Sequence, residues 1–326
     1  MRTLKLLTAI AIPAALSVLA VPAAHAAQPG YPEKPIRFVI GSAPGSGPDI
    51  IARTLAERLY GAWGQRIVVD SRPGVAGILS ADLVLRSAPD GYTWMMLTSQ
   101  LLVATAVYPN VKFNLGKDFA SISLIGTVPF VLAVNPELPA KSIRELIELA
   151  KKKPGAIQYG SAGTGATEHL SGVLFTRMTG TNMLHVPYKG IAEALAATMG
   201  NEVHFTYAVL PAARSIVQSG RVRALAVTSL KRAAMLPDVP SISETVPGYE
   251  TLGWYSVVAP TGTPPAVLAK VSAEVVKAVK EPRFGEQLKA LGLDLVGSSR
   301  AELDAFRRDQ TKRISEIVKA SGVDVK

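Results

Sequence analysis

The 326-residue sequence contains no cysteine. This absence excludes disulfides, a lipid-bearing cysteine anchor, and thiolates for catalysis or zinc binding. Histidine is also scarce: the four histidines show neither H-x-x-H nor H-E-x-x-H spacing, so no metal site is expected. Beyond the N-terminus, no segment has the ~18 uninterrupted apolar residues of a membrane-spanning helix. The length nevertheless suffices for a large core and for two α/β domains.

The motifs of common enzyme classes are missing as well. There is no G-x-S-x-G nucleophile elbow, and no set of acid, base and nucleophile emerges from the sequence. The first glycine-rich loop fails the G-x-G-x-x-G dinucleotide pattern because Ile50 occupies the third glycine position, and it lacks the G-K-[ST] ending of a P-loop. We therefore expect a protein that is not an enzyme and that uses no cofactor.

Residues 1–26 have the pattern of a secretory signal peptide. Arg2 and Lys5 form a positive start, residues 6–20 are apolar, and residues 24–26 (AHA) resemble an A-x-A cleavage site. A retained membrane anchor is the alternative, which two prolines and the short apolar run disfavour. The sequence predicts export, cleavage before Ala27, and a periplasmic location.

The charge balance is basic, with a formal net charge of +10. Such a balance is compatible with nucleic acid, an anionic surface or small anionic ligands. The charges are scattered, and the one tight run, residues 151–153, closes a predicted helix that Ser142 and Glu145 open. Cations at a helix C-terminus have a purely structural explanation. Nucleic-acid binding is therefore not expected.

Strands and helices alternate along the chain and are linked by glycine turns. This alternation predicts an α/β protein with a parallel sheet covered by helices on both faces. The near-continuous apolar segments Ile122–Ile125 and Val128–Val134 are typical of strands buried on both faces. The pattern starts again at Lys141, so we expect a second α/β unit inserted into the first, with two chain crossings near 125–134 and 250–257.

Two glycine-rich loops that run directly into amphipathic helices are the main candidates for a binding site. In the first, the strand Phe38–Ile40 leads through Gly41, Gly45 and Gly47 into a helix. A helix N-terminus offers unpaired backbone N–H groups and a positive dipole end, which together favour an anion. Ser46 could cap this helix or contact a ligand, and Asp49 could be a structural acid of the first turn.

The second loop follows the strand 157–159 and contains Gly160, Gly163 and Gly165 among several hydroxyl-bearing residues. Short polar side chains and free backbone N–H groups can hold a carboxylate without any cationic side chain. A plain glycine turn for close packing is the alternative. Two such loops, one in each half of the chain, favour a ligand clamped between two lobes. His169, in the helix that follows, is expected to be a packing or capping residue.

Eight segments in this order give the chain a strong resemblance to the Bug-type receptors, the extracytoplasmic solute-binding proteins of tripartite tricarboxylate transporters. The resemblance covers essentially the whole chain after the signal peptide. The segments are YPEKPIRFVI (31–40), APGSGPDIIAR (43–53), VDSRPGVAG (69–77), PDGYTW (89–94), YGSAGTGATEHL (159–170), HVPYKG (185–190), RALAVTSLKRAAMLPDVPSISE (223–244) and WYSVVAPTGTP (254–264).

The resemblance implies a type II periplasmic-binding-protein fold, with two doubly wound α/β lobes joined by a two-crossing hinge. We expect lobe 1 at 27–127 and 252–326 and lobe 2 at 128–251. It implies a monomeric receptor that closes on a small carboxylate and delivers it to membrane transporter subunits. Carried over to this sequence, the expected ligand-binding residues are Ala43, Gly45, Ser46, Gly47, Asp49, Ser99, Ser161, Gly163, Thr164, Gly165, Thr167 and Tyr188.

Three departures from the family pattern concern the binding loops and one strand. The usual P-G-G-x-T-D turn is interrupted by Ser46 and has Pro48 in place of threonine; Ala76 replaces a usual glycine, and His204 a common aspartate. The fold should survive all three. Two alternatives remain open for the function: a ligand sensor with a membrane signalling partner, and an enzyme on the same fold.

Overall fold

The computed structural model describes residues 30–108, 110–289 and 291–321. The predicted signal peptide, residues 1–26, lies outside the described residues. Within the described ranges, strands and helices alternate along the chain. The predicted α/β class is therefore confirmed.

Two long strands stand out among shorter ones. They are β4 (Phe119–Val134) and β9 (Leu252–Pro260). The sequence predicted two separate strands where the structure has the single strand β4. The shorter strands are β1 (Ile36–Ile40), β2 (Ile67–Ser71), β3 (Thr93–Thr98), β5 (Gln158–Ser161), β6 (Leu184–Pro187), β7 (Phe205–Val209), β8 (Arg223–Val227) and β10 (Asp294–Leu295).

The helices fill the connections between these strands. They are α1 (Gly47–Trp63), α2 (Ile78–Leu85), α3 (Ser99–Val107), α4 (Leu115–Asp118), α5 (Ile143–Lys152), α6 (Thr167–Thr179), α7 (Ile191–Met199), α8 (Leu210–Gln218), α9 (Pro265–Lys280), α10 (Pro282–Lys289) and α11 (Arg300–Ser321). None of the helices in the described ranges combines the length and apolar character that crossing a membrane requires.

The strands form one continuous sheet in the order β2-β1-β3-β9-β4-β7-β5-β6, with β10 and β8 also paired to β4. Strand β4 is shared by two parts of this sheet. Its residues 119–129 pair with β9, whereas its residues 130–134 pair with β7 and β8. We call the strands up to residue 129 of β4 (β1, β2, β3, β9, β10) the first half of the sheet and the remaining strands the second half.

The sheet is mixed rather than parallel throughout. Strand β1 pairs in parallel with β2 and β3, and β5 pairs in parallel with β6 and β7, as the alternation predicts. Strands β4 and β9, however, run antiparallel to each other and to the strands beside them in the sheet order. The expectation of a parallel sheet is wrong for these strands. Their apolar runs are equally compatible with parallel and antiparallel pairing, so the sequence pattern did not reveal their direction.

Helices α3 and α8 were not predicted from the sequence. Most residues of α3 (SQLLVATAV) are buried, so its apolar residues show no helical stripe. Helix α8 starts directly after β7, without a turn residue between them, and has proline within its first two positions. Helix α3 therefore lacks the periodicity on which sequence-based assignment depends. In α8 the apolar stripe is present, but no turn residue separates the helix from the apolar strand β7 before it.

Apolar clusters cover both faces of each half of the sheet. In the first half, α1 and α9 pack on one face, and α2, α3 and α11 pack on the other. In the second half, α5 and α6 cover one face, and α7 and α8 cover the other. This arrangement explains why β1, β3, β4 and β7 read as almost uninterrupted apolar runs.

Two helical glycines should respond oppositely to substitution by alanine. A Cβ at Gly172 of α6 would lie 2.2 Å from the ring of the buried Tyr159, whereas a Cβ at Gly61 of α1 meets no atom within 4 Å. Overpacking should make Gly172→Ala destabilising by roughly 1–3 kcal/mol. Gly61→Ala should stabilise by about 0.5 kcal/mol through helix propensity. Urea denaturation measures both values, and equal effects would contradict the packing described here.

Candidate functional site

A cavity of about 260 Å³ lies where the two halves of the sheet meet. The N-terminal residues of three helices, α1, α3 and α6, border it, and β4 and β9 contribute to its lining. Its lining residues are Gly41, Ser42, Ser46, Pro48, Ala76, Gly77, Met95, Met96, Thr98, Ser99, Gln100, Leu101, Val128, Phe130, Ala162, Thr167, Glu168, Val209, Gly253 and Tyr255. Helix N-termini that converge on one cavity favour an anionic ligand group.

The turn before α1 is organised by the carboxylate of Asp49. This carboxylate accepts a hydrogen bond from the Gly45 backbone N–H at 2.9 Å, another from the Ser71 hydroxyl at 3.3 Å, and an ion-paired one from Arg53 at 2.9 Å. The hydrogen bond from Arg53 lowers the pKa of Asp49, burial raises it, and the hydrogen bond from Gly45 lowers it; the net effect is a lowered pKa. Asp49 is 3% exposed and does not line the cavity. Its geometry is that of a structural acid of the first turn.

The N-terminus of α3 enters the cavity at the end of β3. The Thr98 hydroxyl caps the helix by accepting a hydrogen bond from the Leu101 backbone N–H at 3.3 Å. Ser99 and Gln100, at the first two helical positions, line the cavity beside Thr98. The sequence singled out Ser99 but did not predict the helix that orients it.

The second glycine loop uses much of its polarity for its own folding. The Ser161 hydroxyl is buried; it donates to the Gly163 carbonyl oxygen, accepts from the Gly163 N–H, and lies 2.7 Å from His185 Nε2. The Gly165 N–H donates to His169 Nδ1 at 3.1 Å. Gly163 and Gly165 have φ values of 117° and 80°, which favour glycine. Two of the backbone donors that the sequence suggested for a ligand therefore serve the loop itself.

The predicted ligand-binding residues divide into two groups in the structure. Ser46, Ser99 and Thr167 line the cavity. Tyr188 packs its ring against Gly160 and donates its backbone N–H to Ser161. The predicted residues outside the lining are Ala43, Gly45, Gly47, Asp49, Ser161, Gly163, Thr164, Gly165 and Tyr188. Ligand contact by any residue of either group stays a prediction.

Several cavity residues were not recognised from the sequence. Val128 and Phe130 of β4 and Gly253 and Tyr255 of β9 are brought to the cavity by long-range strand pairing. Gly253 allows β9 to approach β4 closely, because a Cβ there would lie 2.7 Å from the Val128 side chain. The alternation of side chains along β9 carried a weak signal, since Gly253 and Tyr255 lie on one face and Trp254 on the other.

The charge of the cavity is unusual for an anion site. Among the described residues that line it, there is no lysine, arginine or histidine, and Glu168 is the one carboxylate. Burial raises the pKa of Glu168, and the residue's own backbone N–H opposes this shift. Burial raises the pKa of Tyr255 to about 12, and the charge of Glu168 acts in the same direction. The side chain of Glu168 lines the cavity and is partly accessible to solvent there. Protein atoms surround its carboxyl group closely enough for burial to dominate its pKa.

The three departures from the family pattern are accommodated locally. Pro48 falls within the first two positions of α1, where its missing N–H costs no helical hydrogen bond. Ala76 adopts a φ of 55°, in the left-handed region that favours glycine. His204 accepts a hydrogen bond from the Gln158 N–H at 3.1 Å. In the part of the chain that the structure describes, no group of three potential metal ligands occurs.

The chain matches the family model described as "Tripartite tricarboxylate transporter family receptor" over residues 51–323. The chain belongs to this family. It is therefore a solute-binding receptor by membership, which confirms the resemblance found in the sequence. Among curated relatives, BugT of Bordetella pertussis is 31% identical over 299 residues, covering 91% of this chain and 92% of BugT.

Solved structures of the receptor type share the fold. R. palustris Rpa4515 with adipate is 33% identical, with a TM-score of 0.78 over 90% of this chain and 98% of that one. MatC (Rpa3494) from Rhodopseudomonas palustris with bound malate is 26% identical, with a TM-score of 0.74 over 88% of this chain and all of MatC. The type II periplasmic-binding-protein fold expected from the sequence is confirmed by these likenesses.

The stacked imidazoles of His169 and His185 should make stability depend on pH. Their ring centroids lie 3.9 Å apart, and burial lowers both pKa values to about 4. The unfolded chain, with histidine pKa values near 6.5, binds more protons between pH 6.5 and 4, so stability falls as the pH falls through this window. His169→Gln should reduce the slope by up to about 1.4 kcal/mol per pH unit. Urea denaturation from pH 4.5 to 7.5 tests this, and an unchanged slope would contradict it.

Proposed function

We propose that this protein is a periplasmic receptor that captures a small carboxylate in the cavity between α1, α3 and α6 and delivers it to a tripartite tricarboxylate-type membrane transporter. The observation that carries the proposal is the convergence of three helix N-termini on one cavity. Family membership and the adipate and malate bound to two structural neighbours support the same ligand class. A cavity of this size suits a small molecule rather than a polymer.

The proposed lobes are residues 27–127 with 252–326, and residues 128–251. In support, β4 is shared by both halves of the sheet, and β9 pairs with it up to the Pro129–Leu252 position. Apart from β4, the strands of the second half all lie between residues 158 and 227. Bending at this shared pair would open and close the cavity, and a ligand that contacts both lobes would shift the population towards the closed form.

The proposed carboxylate contacts combine backbone donors with side-chain hydroxyls. The Ser42 hydroxyl is buried at the cavity and has no hydrogen-bond partner among the described residues, so it is free to donate to a ligand. Ser99 and Thr167 add hydroxyls, and the first N–H groups of α3 add main-chain donors. The Ser46 hydroxyl donates to the Ala43 carbonyl oxygen at 2.6 Å and would have to turn away from it to reach a carboxylate. Hydrogen bonds to an ionised carboxylate are stronger than those between neutral groups.

The remaining parts of the proposal follow from the receptor role. The protein would be exported by cleavage of residues 1–26, act as a monomer and perform no chemistry on its ligand. In support of binding without catalysis, the described lining residues include no histidine, lysine or arginine beside Glu168. General acid–base or nucleophilic catalysis relies on pairs of such groups within hydrogen-bond reach.

Bulky side chains in the cavity should block ligand binding while leaving the fold intact. Ser46 and Ala162 line the cavity from opposite halves, whereas Ala62, near the C-terminal end of α1, is exposed and outside the lining. Ser46→Leu and Ala162→Leu should each weaken carboxylate binding by at least about tenfold, and Ala62→Leu should not. Isothermal titration calorimetry with a panel of mono- and dicarboxylates, including adipate and malate, measures this.

The panel also tests the function itself. If no carboxylate binds the unmodified protein, the proposed function is wrong. If carboxylates bind and both cavity variants retain full affinity, the receptor function stands but the ligand lies elsewhere. Thermal unfolding of each variant verifies that the fold is preserved.

A further inference from the structure

The two glycine-loop helices differ in the charge that their N-termini present to the cavity. Each carries an acidic residue in its first turn, Asp49 in α1 and Glu168 in α6. Asp49 is turned into its own loop and paired with Arg53, so its charge is compensated away from the cavity. Glu168 lines the cavity, and no described cation acts on its carboxylate.

The carboxylate of Glu168 would be stabilised by a cation bound in the cavity. Buried charges in proteins are normally paired, because leaving one unpaired in a region of low polarity is costly. Burial raises the pKa of Glu168 and opposes its charge as long as no cation is beside it. The helix dipole at the first turn of α6 and a bound cation both favour the ionised form. When ionised, the Glu168 carboxylate itself lies at the positive end of the α6 dipole. An anionic ligand group would therefore gain less from the N-terminus of α6. The α6 side of the cavity is thus suited to a positive group.

The opposite side of the cavity keeps its preference for an anion. The Ser42 hydroxyl has no partner, and Ser99 and Gln100 lie at the N-terminus of α3. A Cβ built on Gly47 would lie 3.7 Å from the Tyr255 hydroxyl, so this hydroxyl is close to the start of α1. The charge of Glu168 contributes to the raised pKa of Tyr255. Tyr255 therefore lies near both the N-terminus of α1 and Glu168. The cavity has hydroxyl and main-chain donors on the Ser42–Ser99 side and a carboxylate without a cationic partner at Glu168.

We propose that the cavity selects small zwitterions, that is, carboxylates that also carry an ammonium group, with Glu168 binding the ammonium and the Ser42–Ser99 side binding the carboxylate. This inference rests on the proposed receptor function and narrows its ligand class. A second carboxylate at Glu168 would face a like charge without a compensating cation, whereas an ammonium group there forms a partly buried ion pair.

Pairs of ligands that differ in one group test the inference. Malate and L-aspartate differ in a hydroxyl against an ammonium group, and adipate and 6-aminohexanoate differ in a carboxylate against an aminomethyl group. Isothermal titration calorimetry at pH 7.5 should show the ammonium-bearing member of each pair binding about 30-fold more tightly or better to the unmodified protein, as expected for a desolvated charge pair.

The variant Glu168→Gln removes the charge but keeps the size of the side chain. It should weaken L-aspartate and 6-aminohexanoate binding by about 30-fold and leave malate and adipate binding equal or tighter. The matched control is Glu193→Gln, which changes an exposed first-turn glutamate of α7 outside the cavity and should alter neither class.

The outcomes separate this inference from the function on which it rests. If malate and adipate bind the unmodified protein as tightly as their ammonium-bearing partners, the zwitterion inference is wrong and the carboxylate receptor stands. If zwitterions are preferred but Glu168→Gln leaves the preference intact, Glu168 is not its source, and the inference is equally wrong. If no ligand of either class binds, the receptor function itself fails.

Discussion

The antiparallel pairing of β4 with β9 is the constraint on which the rest of the structure depends. Residues 119–129 of β4 follow β9 along its length, and the same strand then continues between β7 and β8. Both halves of the sheet therefore share one backbone segment. The pairing also forms the floor of the cavity, where Val128 lies opposite Gly253 and the absence of a Cβ at Gly253 permits the close approach. The strands that precede α1, α3 and α6 belong to the same sheet, with β1 and β3 on the β9 side of this pair and β5 on the β4 side, beyond β7.

The glycine loops illustrate how a binding loop divides its polar groups between folding and recognition. In the loop before α6, Ser161 and His169 satisfy the backbone N–H groups of Gly163 and Gly165. In the loop before α1, the Asp49 carboxylate does the same for Gly45. Each loop is thereby held in one conformation before any ligand arrives, which reduces the entropy that binding must overcome. The groups left for recognition are hydroxyls, the first turns of the helices, and Glu168.

Much of the fold could be predicted from the sequence because local pattern and final structure agree over most of it. The strand–turn–helix alternation was predicted, and so was the helix that Ser142 opens and residues 151–153 close. The structure has α5 there, at Ile143–Lys152, with Ser142 as its N-cap. The direction of β4 and β9 could not be read locally, because an apolar run is equally compatible with parallel and antiparallel pairing. Helix α3 was missed because most of its residues are buried, which leaves no helical stripe of apolar residues. Helix α8 was missed because it starts directly after a strand, without a turn residue to mark its start.

The sequence by itself determined the α/β class, the two glycine loops, the absence of thiols and the family. These properties depend on residue types and on spacings of a few residues, which the chain carries wherever it folds. Only the tertiary structure decided which residues of the loops face the cavity, that Asp49 is neutralised by Arg53 while Glu168 is not, and that Tyr255 lies beside them. The physical reason is that charge compensation and cavity lining are set by distances between residues far apart in the chain, here fixed by the pairing of β4 with β9.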